Sequence, residues 1–459
     1  FDDTKIIAYL ATNSTAGNEL GLKDLAHEFA GNWAQSDIKD IRLIPLDKLL
    51  QYNLVDCLST WYVKNKYTPI MVADKQEELY HSLMLPSLKV IIQMELTGMP
   101  MNAVRVAEVK SELMTVYLQH IDTLKNNPTI KALNLLVQTN AMEKANAKLK
   151  TKQHPLSKFA DLEFNPNSGP QLQILLYEQM GLPVIDLTDT KLPATGGDTL
   201  EKLLNHTNVP EYQDIIKALI GLSSVSKILS AFIPAFEKAI LKSDSTAYLH
   251  GSFNLGGTVS GRLSSSKPNL QNLPAGSEFG KLVKSCFQAS KGWLMCGADF
   301  NSLEDYISAL TTKDPSKLDV YLKGFDGHCL RAANYFREQL PHIDLTDAAS
   351  VNSIKATHPE LRQDSKGPTF ALTYQGTWLT LVRNLGFPEA KAKAIEKGYH
   401  ELYKVSDQWV ADRLEQASKD GYVDVAFGLR VRTPLLKQTL RGHRSTPFQA
   451  EAEGRTAGN

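Results

Sequence analysis

Cysteine is scarce in this sequence: four in 459 residues, Cys57, Cys286, Cys296 and Cys329, widely scattered and with no CxxC pair. That excludes a disulfide framework, reads the four as structural, and fits a reducing cytoplasm. No run approaches the roughly 20 consecutive apolar residues of a membrane span, so no membrane partner is expected. Net charge is absent too, because 50 Lys+Arg cancel 50 Asp+Glu. Binding to a polyanion must therefore rest on local basic ground. Two stretches supply it. Residues 142–158 hold Lys144, Lys148, Lys150, Lys152 and Lys158 against Glu143 alone, and residues 430–444 hold Arg430, Arg432, Lys437, Arg441 and Arg444 with no acid. Either reads equally as a solvated face. The first residue is Phe1, so an N-terminal targeting signal is not legible.

What is present has the make-up of a soluble globular protein, with 42% hydrophobic and 22% charged residues. A chain of this length is too large for one core and predicts two to four domains.

The most informative stretch is 362–376, RQDSKGPTFALTYQG. Arg362, Lys366, Phe370 and Tyr374 recur every fourth residue, which on a helix makes one slanted stripe of two cations and two aromatics. A core stripe is aliphatic, and a solvated one does not repeat bulky rings. Two cations and two rings suit a ligand with phosphates at one end and a flat base at the other. The plainer alternative is an amphipathic helix with Arg and Lys at its rim. Gly367-Pro368 interrupts the pattern, since proline inside a helix kinks it.

This stripe resembles the nucleotide-binding helix of family A DNA polymerases, R-x3-K-x3-F/Y-x3-Y-G, with Gln375 here separating Tyr374 from Gly376. Three further blocks resemble the same family, in family order. GRLSSSKPNLQNLP (261–274) is similar to its primer–template contact. WLMCGADFNSLEDYISAL (293–310) reads as a strand ending at Asp299 and a helix starting soon after, and resembles its motif A. GYVDVAFGLRVRTP through EGRTAGN (421–459) reads as a hairpin around Gly428, then an R-x3-N spacing at Arg455 and Asn459.

The resemblance implies an α/β multidomain protein: a right-hand polymerase fold with palm, fingers and thumb, preceded by part of a 3′–5′ exonuclease domain. It divides the chain into an exonuclease-like segment (1–75), a helix leading into the polymerase half (76–104), a thumb (105–245), a palm with motif A (246–310), fingers (311–419) and a return to the palm (420–459). Periodicity predicts helices at Ile6–Tyr9, Leu20–Ala30 and Glu78–Leu96, the last closed by Thr97-Gly98.

Site roles follow from the resemblance alone. Asp299 is the metal-binding carboxylate, and with Arg362 and Lys366 forms the catalytic set. Phe300 is the aromatic after it, and Glu304 closes off the sugar 2′ position. Arg362 and Lys366 take the triphosphate, Phe370 the incoming sugar and base, Tyr374 the templating position. A phenyl ring at 370 implies discrimination against dideoxynucleotides. Arg262, Asn269, Gln271 and Asn272 are minor-groove donors, which test pairing geometry without reading sequence. Arg455 and Asn459 contact primer and template, and Lys148 and Lys150 grip the duplex backbone from the thumb. Asp305-Tyr306 departs from the family's Leu-Arg.

Tyr52-x3-Asp56 resembles the third exonuclease motif, but the family's other acidic motifs are not found, which argues against editing by this chain. The expected cofactor is a pair of Mg²⁺ ions about 3.5–4 Å apart, with Mn²⁺ as substitute. The second metal carboxylate belongs to a His-Asp-Glu turn, and no His-Asp pair occurs anywhere in the sequence. The chain therefore reads as the retained portion of a longer protein, closest in character to a bacteriophage replicative polymerase. Primer–template DNA and deoxynucleoside triphosphates are the expected partners; no processivity factor is indicated. Two other readings stay open: a single-subunit RNA polymerase, against which Glu304 argues, and a polymerase-like nucleic-acid-binding protein without catalysis.

Overall fold

The computed structural model describes residues 1–33, 40–149, 153–188, 190–274, 279–439 and 452–456. Helices dominate. The seven strands are two or three residues long and form one three-stranded sheet, order β1-β3-β2, and two antiparallel pairs. They are β1 (Met99–Met101), β2 (Ile240–Leu241), β3 (Ala247–Leu249), β4 (Ser252–Asn254), β5 (Ser264–Ser266), β6 (Tyr422–Asp424) and β7 (Arg430–Arg432).

The first helix, Thr4–Thr12, starts where the Asp3 carboxylate accepts the Ile6 N–H. Residues 6–11 are all buried, so this helix is wrapped by its neighbours, chiefly the 28-residue helix Leu46–Ala73. Its Tyr9 hydroxyl, fully buried, donates to the Thr258 carbonyl at 3.0 Å. Asn13 Nδ2 donates to the carbonyls of Val259 and Arg430. Gly256, at φ +72°, lets the backbone come so close that a Cβ there would meet Tyr9 Cγ at 2.9 Å. The N-terminal segment is thus the bed on which the 250–274 loop and the β6–β7 hairpin rest. The core confirms this, joining Ile7, Tyr9, Leu10, Val63, Met71, Tyr80 and Leu429. The expected boundary between residues 75 and 76 runs through that core. The stretch Leu20–Ala30, expected as one helix, forms two, Leu22–Leu25 and His27–Ala30, because Ala26 (φ −106°, ψ 10°) leaves helical geometry.

Helix Glu77–Thr97 runs as expected, with a π turn at Tyr80–Met84, and stops at Gly98, φ +73°. The segment expected as the thumb packs Ala103–Asn126, Pro128–Asn146, Gly197–Leu204 and Pro210–Lys227 around Leu124, Leu133, Leu176, Leu203, Ile216 and Leu219. Asn127 ends the first of these helices and caps the second by accepting the Thr129 N–H. Lys144 and Lys148 are exposed at the far end of Pro128–Asn146. Among the described residues one helical path, Pro210–Phe236, is long and apolar enough by composition to cross a membrane, though it holds no unbroken run of about 20 apolar residues. Its composition has a plain cause: Ile215, Leu219, Val225, Phe232 and Ile233 fill two of the cores.

The strand expected to end at Asp299 is not formed. Residues 293–300 have no helix or strand and lie exposed. A strand is held by hydrogen bonds to a neighbour, and among the described residues no strand pairs with this segment. The helix after it does form, as Leu303–Thr312. The segment expected as the fingers closes over its own core, including Cys329, Tyr335, Phe336, Leu361, Leu372, Ile395 and Tyr403. The hairpin at 420–434 forms as β6 and β7.

Candidate active site

The 362–376 stretch is two helices rather than one, Pro359–Asp364 and Lys366–Thr373, meeting at the buried Ser365. The break explains how Pro368 is tolerated. It falls third in a new helix, where a backbone N–H has no partner within the helix to lose. Ser365 locks the joint, its hydroxyl lying 2.9 Å from the Arg362 carbonyl and 3.1 Å from that of His328. Tyr374 caps the second helix, with its ring 4.9 Å from that of Phe370. The stripe survives the bend.

Across from it lies the segment from Asp299 into helix Leu303–Thr312. Together the two sides line one cleft of about 980 Å³, and Asp299, Phe300, Glu304, Arg362, Lys366, Phe370 and Tyr374 all face it. Residues separated by more than 60 positions thus converge. Phe300 and Phe370 are 76% and 65% exposed, large apolar surface held open rather than buried.

The charges in the cleft are mostly matched. Arg362 donates to Asp326 at 2.9 Å, and the same carboxylate accepts the N–H groups of His328 and Cys329 at the start of helix Gly327–Tyr335. Burial alone would raise the Asp326 carboxyl, but the bonds from Arg362 and Cys329 hold it below the usual range. His328 also faces the cleft. Burial, then Arg331 and Arg362, push its imidazole down, toward the neutral form. Among the described residues Lys366 donates only to Gln363, at 2.8 Å, and it has no ion-pair partner there, so its charge is available to a ligand. Glu304 is ion-paired with Arg262, both side chains largely exposed. Asp305, half-buried, is ion-paired with Arg331.

Asp299 is the carboxylate of the cleft with no ion-pair partner among the described residues. A lone carboxylate beside cations that bind phosphate suits a hard ion such as Mg²⁺, which takes one or two carboxylates plus phosphate oxygens. Among the described residues no group of three His, Cys, Asp or Glu side chains is placed to hold a metal. The residues present therefore fit one such ion, and a second free carboxylate for the other is not among them.

Of the remaining expected site residues, those that are described do not line the cleft, and Arg262 reaches it only through Glu304. Asn269 caps the short turn Leu270–Asn272 by accepting the Gln271 N–H, which leaves Gln271 and Asn272 exposed on the loop. Arg455 donates to the Thr15 carbonyl at 3.2 Å. Lys150 and Asn459 fall outside the described residues. Asp56 accepts from Lys23 at 2.6 Å and from Trp33 Nε1 at 3.0 Å, while Lys23 sits 4.2 Å over the Tyr52 ring. That carboxylate is neutralised within its own segment. Arg430 and Arg432 are likewise bound to Asp74, so this part of the basic 430–444 stretch serves the fold.

Sequence reasoning passed over three cations of the cleft, Lys317, Arg331 and Lys355, and the imidazole of His328. Arg331 carried a signal: an arginine set among the small apolar residues of CLRAANY, on a helix that buries Cys329, Leu330 and Ala332.

These elements, with a cleft between a motif-A segment and a cationic, aromatic helix pair, define a right-hand polymerase fold. The sequence agrees: residues 135–457 match DNA polymerase family A, and the chain belongs to that family. DNA polymerase I of Bacillus subtilis is 26% identical over 421 residues, 90% of this chain and 42% of that protein. The thermostable DNA polymerase I of Thermus thermophilus is 25% identical over 448 residues, 96% of this chain and 45% of that protein. The chain thus spans less than half the length of these relatives. The fold is shared with the polymerase domain of Pol1 from M. smegmatis, solved in complex with DNA primer-template and dNTP. That likeness has a TM-score of 0.69 at 21% identity, covering 99% of this chain and 67% of the other.

Proposed function

We propose that this chain carries the nucleotide-binding and primer–template-binding parts of a DNA-directed DNA polymerase, adding deoxynucleotides to a primer 3′-hydroxyl. The observation that carries the reading is the convergence of Asp299, Phe300 and Glu304 with Arg362, Lys366, Phe370 and Tyr374 on one cleft.

Arg362 and Lys366 bind the triphosphate, and Asp326 fixes the angle of the Arg362 fork. Phe370 packs against the incoming sugar and base, and Tyr374 beside it meets the templating position. Glu304 stands where a ribose 2′-hydroxyl would lie. A divalent ion at Asp299, Mg²⁺ with Mn²⁺ as substitute, would neutralise charge on the phosphates when bound. The protein's own contribution is positioning and electrostatic complementarity to an in-line phosphoryl transfer. Arg262, Asn269, Gln271 and Asn272 are the donors offered to the primer–template minor groove, and Lys148 a phosphate contact at the thumb tip. The bond from Arg262 to Glu304 ties the minor-groove loop to the sugar gate.

A polymerase of bacteriophage replication is the finer reading; overall sequence character supports it, while the relatives named above are bacterial enzymes. Editing at Tyr52 and Asp56 is not part of the proposal, since Lys23 holds the Asp56 carboxylate.

The test is template-directed primer extension, and the choice of sugar separates a DNA from an RNA polymerase. Glu304→Ala opens the 2′ position and frees Arg262. Ribonucleotide use relative to deoxynucleotide use is expected to rise at least about tenfold, as when a pocket loses a group that excludes a substrate. Unchanged sugar selectivity, measured as the ratio of kcat/KM values, removes Glu304 from its role.

A further inference from the structure

The first turn of helix Leu303–Thr312 carries Glu304 and, about 100° round its axis, Asp305, and both line the cleft. Asp305 does not face solvent freely. Arg331 Nη2 donates to it at 2.7 Å, and the Tyr321 hydroxyl lies 3.3 Å from its other oxygen. Arg331 is 6% exposed, and its Nε donates to the fully buried Tyr403 hydroxyl at 2.9 Å. Lys317 adds a second tie to the same helix, donating to Ser308 at 2.7 Å. Burial works against both cations. Asp305 and Tyr403 more than offset this for Arg331, whereas Lys317 is left with its ammonium pKa lowered.

Arg331 sits on helix Gly327–Tyr335, whose first turn also carries Asp326, the partner of Arg362, and His328. One helix therefore holds the phosphate-binding arginine by its start and the sugar-gate helix by its middle. Position 305 is also where the sequence departs from the family's Leu-Arg, and Arg331 supplies the charge that an aspartate there requires. A partly buried ion pair of this kind, with Tyr403 and Tyr321 bonded to its two ends, fixes orientation rather than adding much stability.

We infer that Arg331, acting through Asp305, is a positioning residue that sets where Glu304 stands relative to the incoming sugar, and so sets selectivity for deoxynucleotides. With side chains the helix is about 5–6 Å in radius, so a rotation of roughly 10° moves the Glu304 carboxylate about 1 Å. A displacement of that size is enough to disturb a positioned contact strongly.

This inference rests on the nucleotide-binding reading, and the test keeps the two apart. The double variant Asp305→Leu, Arg331→Met removes the pair without stranding either charge, a replacement that buried pairs tolerate. Retention of a labelled, dideoxy-terminated primer–template is measured in Mg²⁺ with the template-complementary dNTP or the matching rNTP. This readout needs no chemical step. The wild type is expected to be stabilised preferentially by the dNTP. The double variant is expected to keep its melting temperature and its affinity for primer–template alone, while its dNTP-over-rNTP preference falls about tenfold. On a Glu304→Ala background the same replacement should change the preference no further, because the effect runs through Glu304. A double variant with undiminished preference overturns the inference, and so does an additive effect on that background. A wild type retained equally by both nucleotides overturns it as well while sparing nucleotide binding. Retention by neither defeats the nucleotide-binding reading itself.

Discussion

Replacing Asp299 by alanine is expected to lower nucleotide addition by roughly 10³-fold while leaving primer–template affinity nearly unchanged. The size follows from the role: a cation that neutralises phosphoryl charge contributes several kcal/mol to the transition state, and each 1.36 kcal/mol is about tenfold in rate. The selectivity of the effect follows from the geometry. Asp299 lines the cleft and has no ion-pair partner among the described residues, so its loss disturbs no fold contact. Glu304, Asp305 and Asp326 are each already bound to an arginine and do not replace it. The measurement is single-turnover extension in Mg²⁺ beside a duplex-binding titration. Loss of both together would mean that Asp299 is structural; loss of neither would remove it from the site.

Lys366→Ala is expected to reduce kcat/KM for deoxynucleotides by about 10²–10³-fold, in the range seen when one preorganised donor to a developing charge is removed. Lys366 is the better probe of the phosphate end than Arg362. Its one hydrogen bond among the described residues is to the exposed Gln363, whereas Arg362 is also the partner of a half-buried aspartate. An Arg362 variant would leave Asp326 uncompensated and loosen the helix that it caps. Steady-state kinetics on the folded variant checks the expectation. A loss confined to KM would assign Lys366 to ground-state binding, and kinetics like those of wild type would mean that the triphosphate lies elsewhere.

The cleft-facing residues of 362–376 were legible because their chemistry is repetitive and local. Two cations and two rings at fourfold spacing survive even the bend at Ser365, because the second helix resumes nearly the same phase. The bend was half-legible: Gly367-Pro368 announced it, but not that Pro368 would fall in a first turn. The missing strand at 293–299 marks the opposite limit. An apolar run specifies a wish to pair, and only the rest of the fold says whether a partner strand lies alongside.

Pairings distant in sequence were not legible at all. Asp305 with Arg331, Asp326 with Arg362 and Arg262 with Glu304 join residues 26 to 42 positions apart, which no periodicity reaches. Nor did sequence show that residues 1–75 would support the 250–274 loop. Ile6–Tyr9 read as a short apolar helix, and only the bonds from Tyr9 and Asn13 to Thr258, Val259 and Arg430 reveal the platform.

The central claim is that this cleft binds a deoxynucleoside triphosphate opposite a template. The most direct measurement is primer extension by this polypeptide, with Mg²⁺ present or chelated, with each of the four deoxynucleotides in turn or the matching ribonucleotides, and with a duplex-binding control. The account predicts tight primer–template binding, further tightened by the one deoxynucleotide that complements the template, and any addition to be confined to that nucleotide and lost on chelation. A chain that binds primer–template but responds equally to all four nucleotides, or to none, would contradict it.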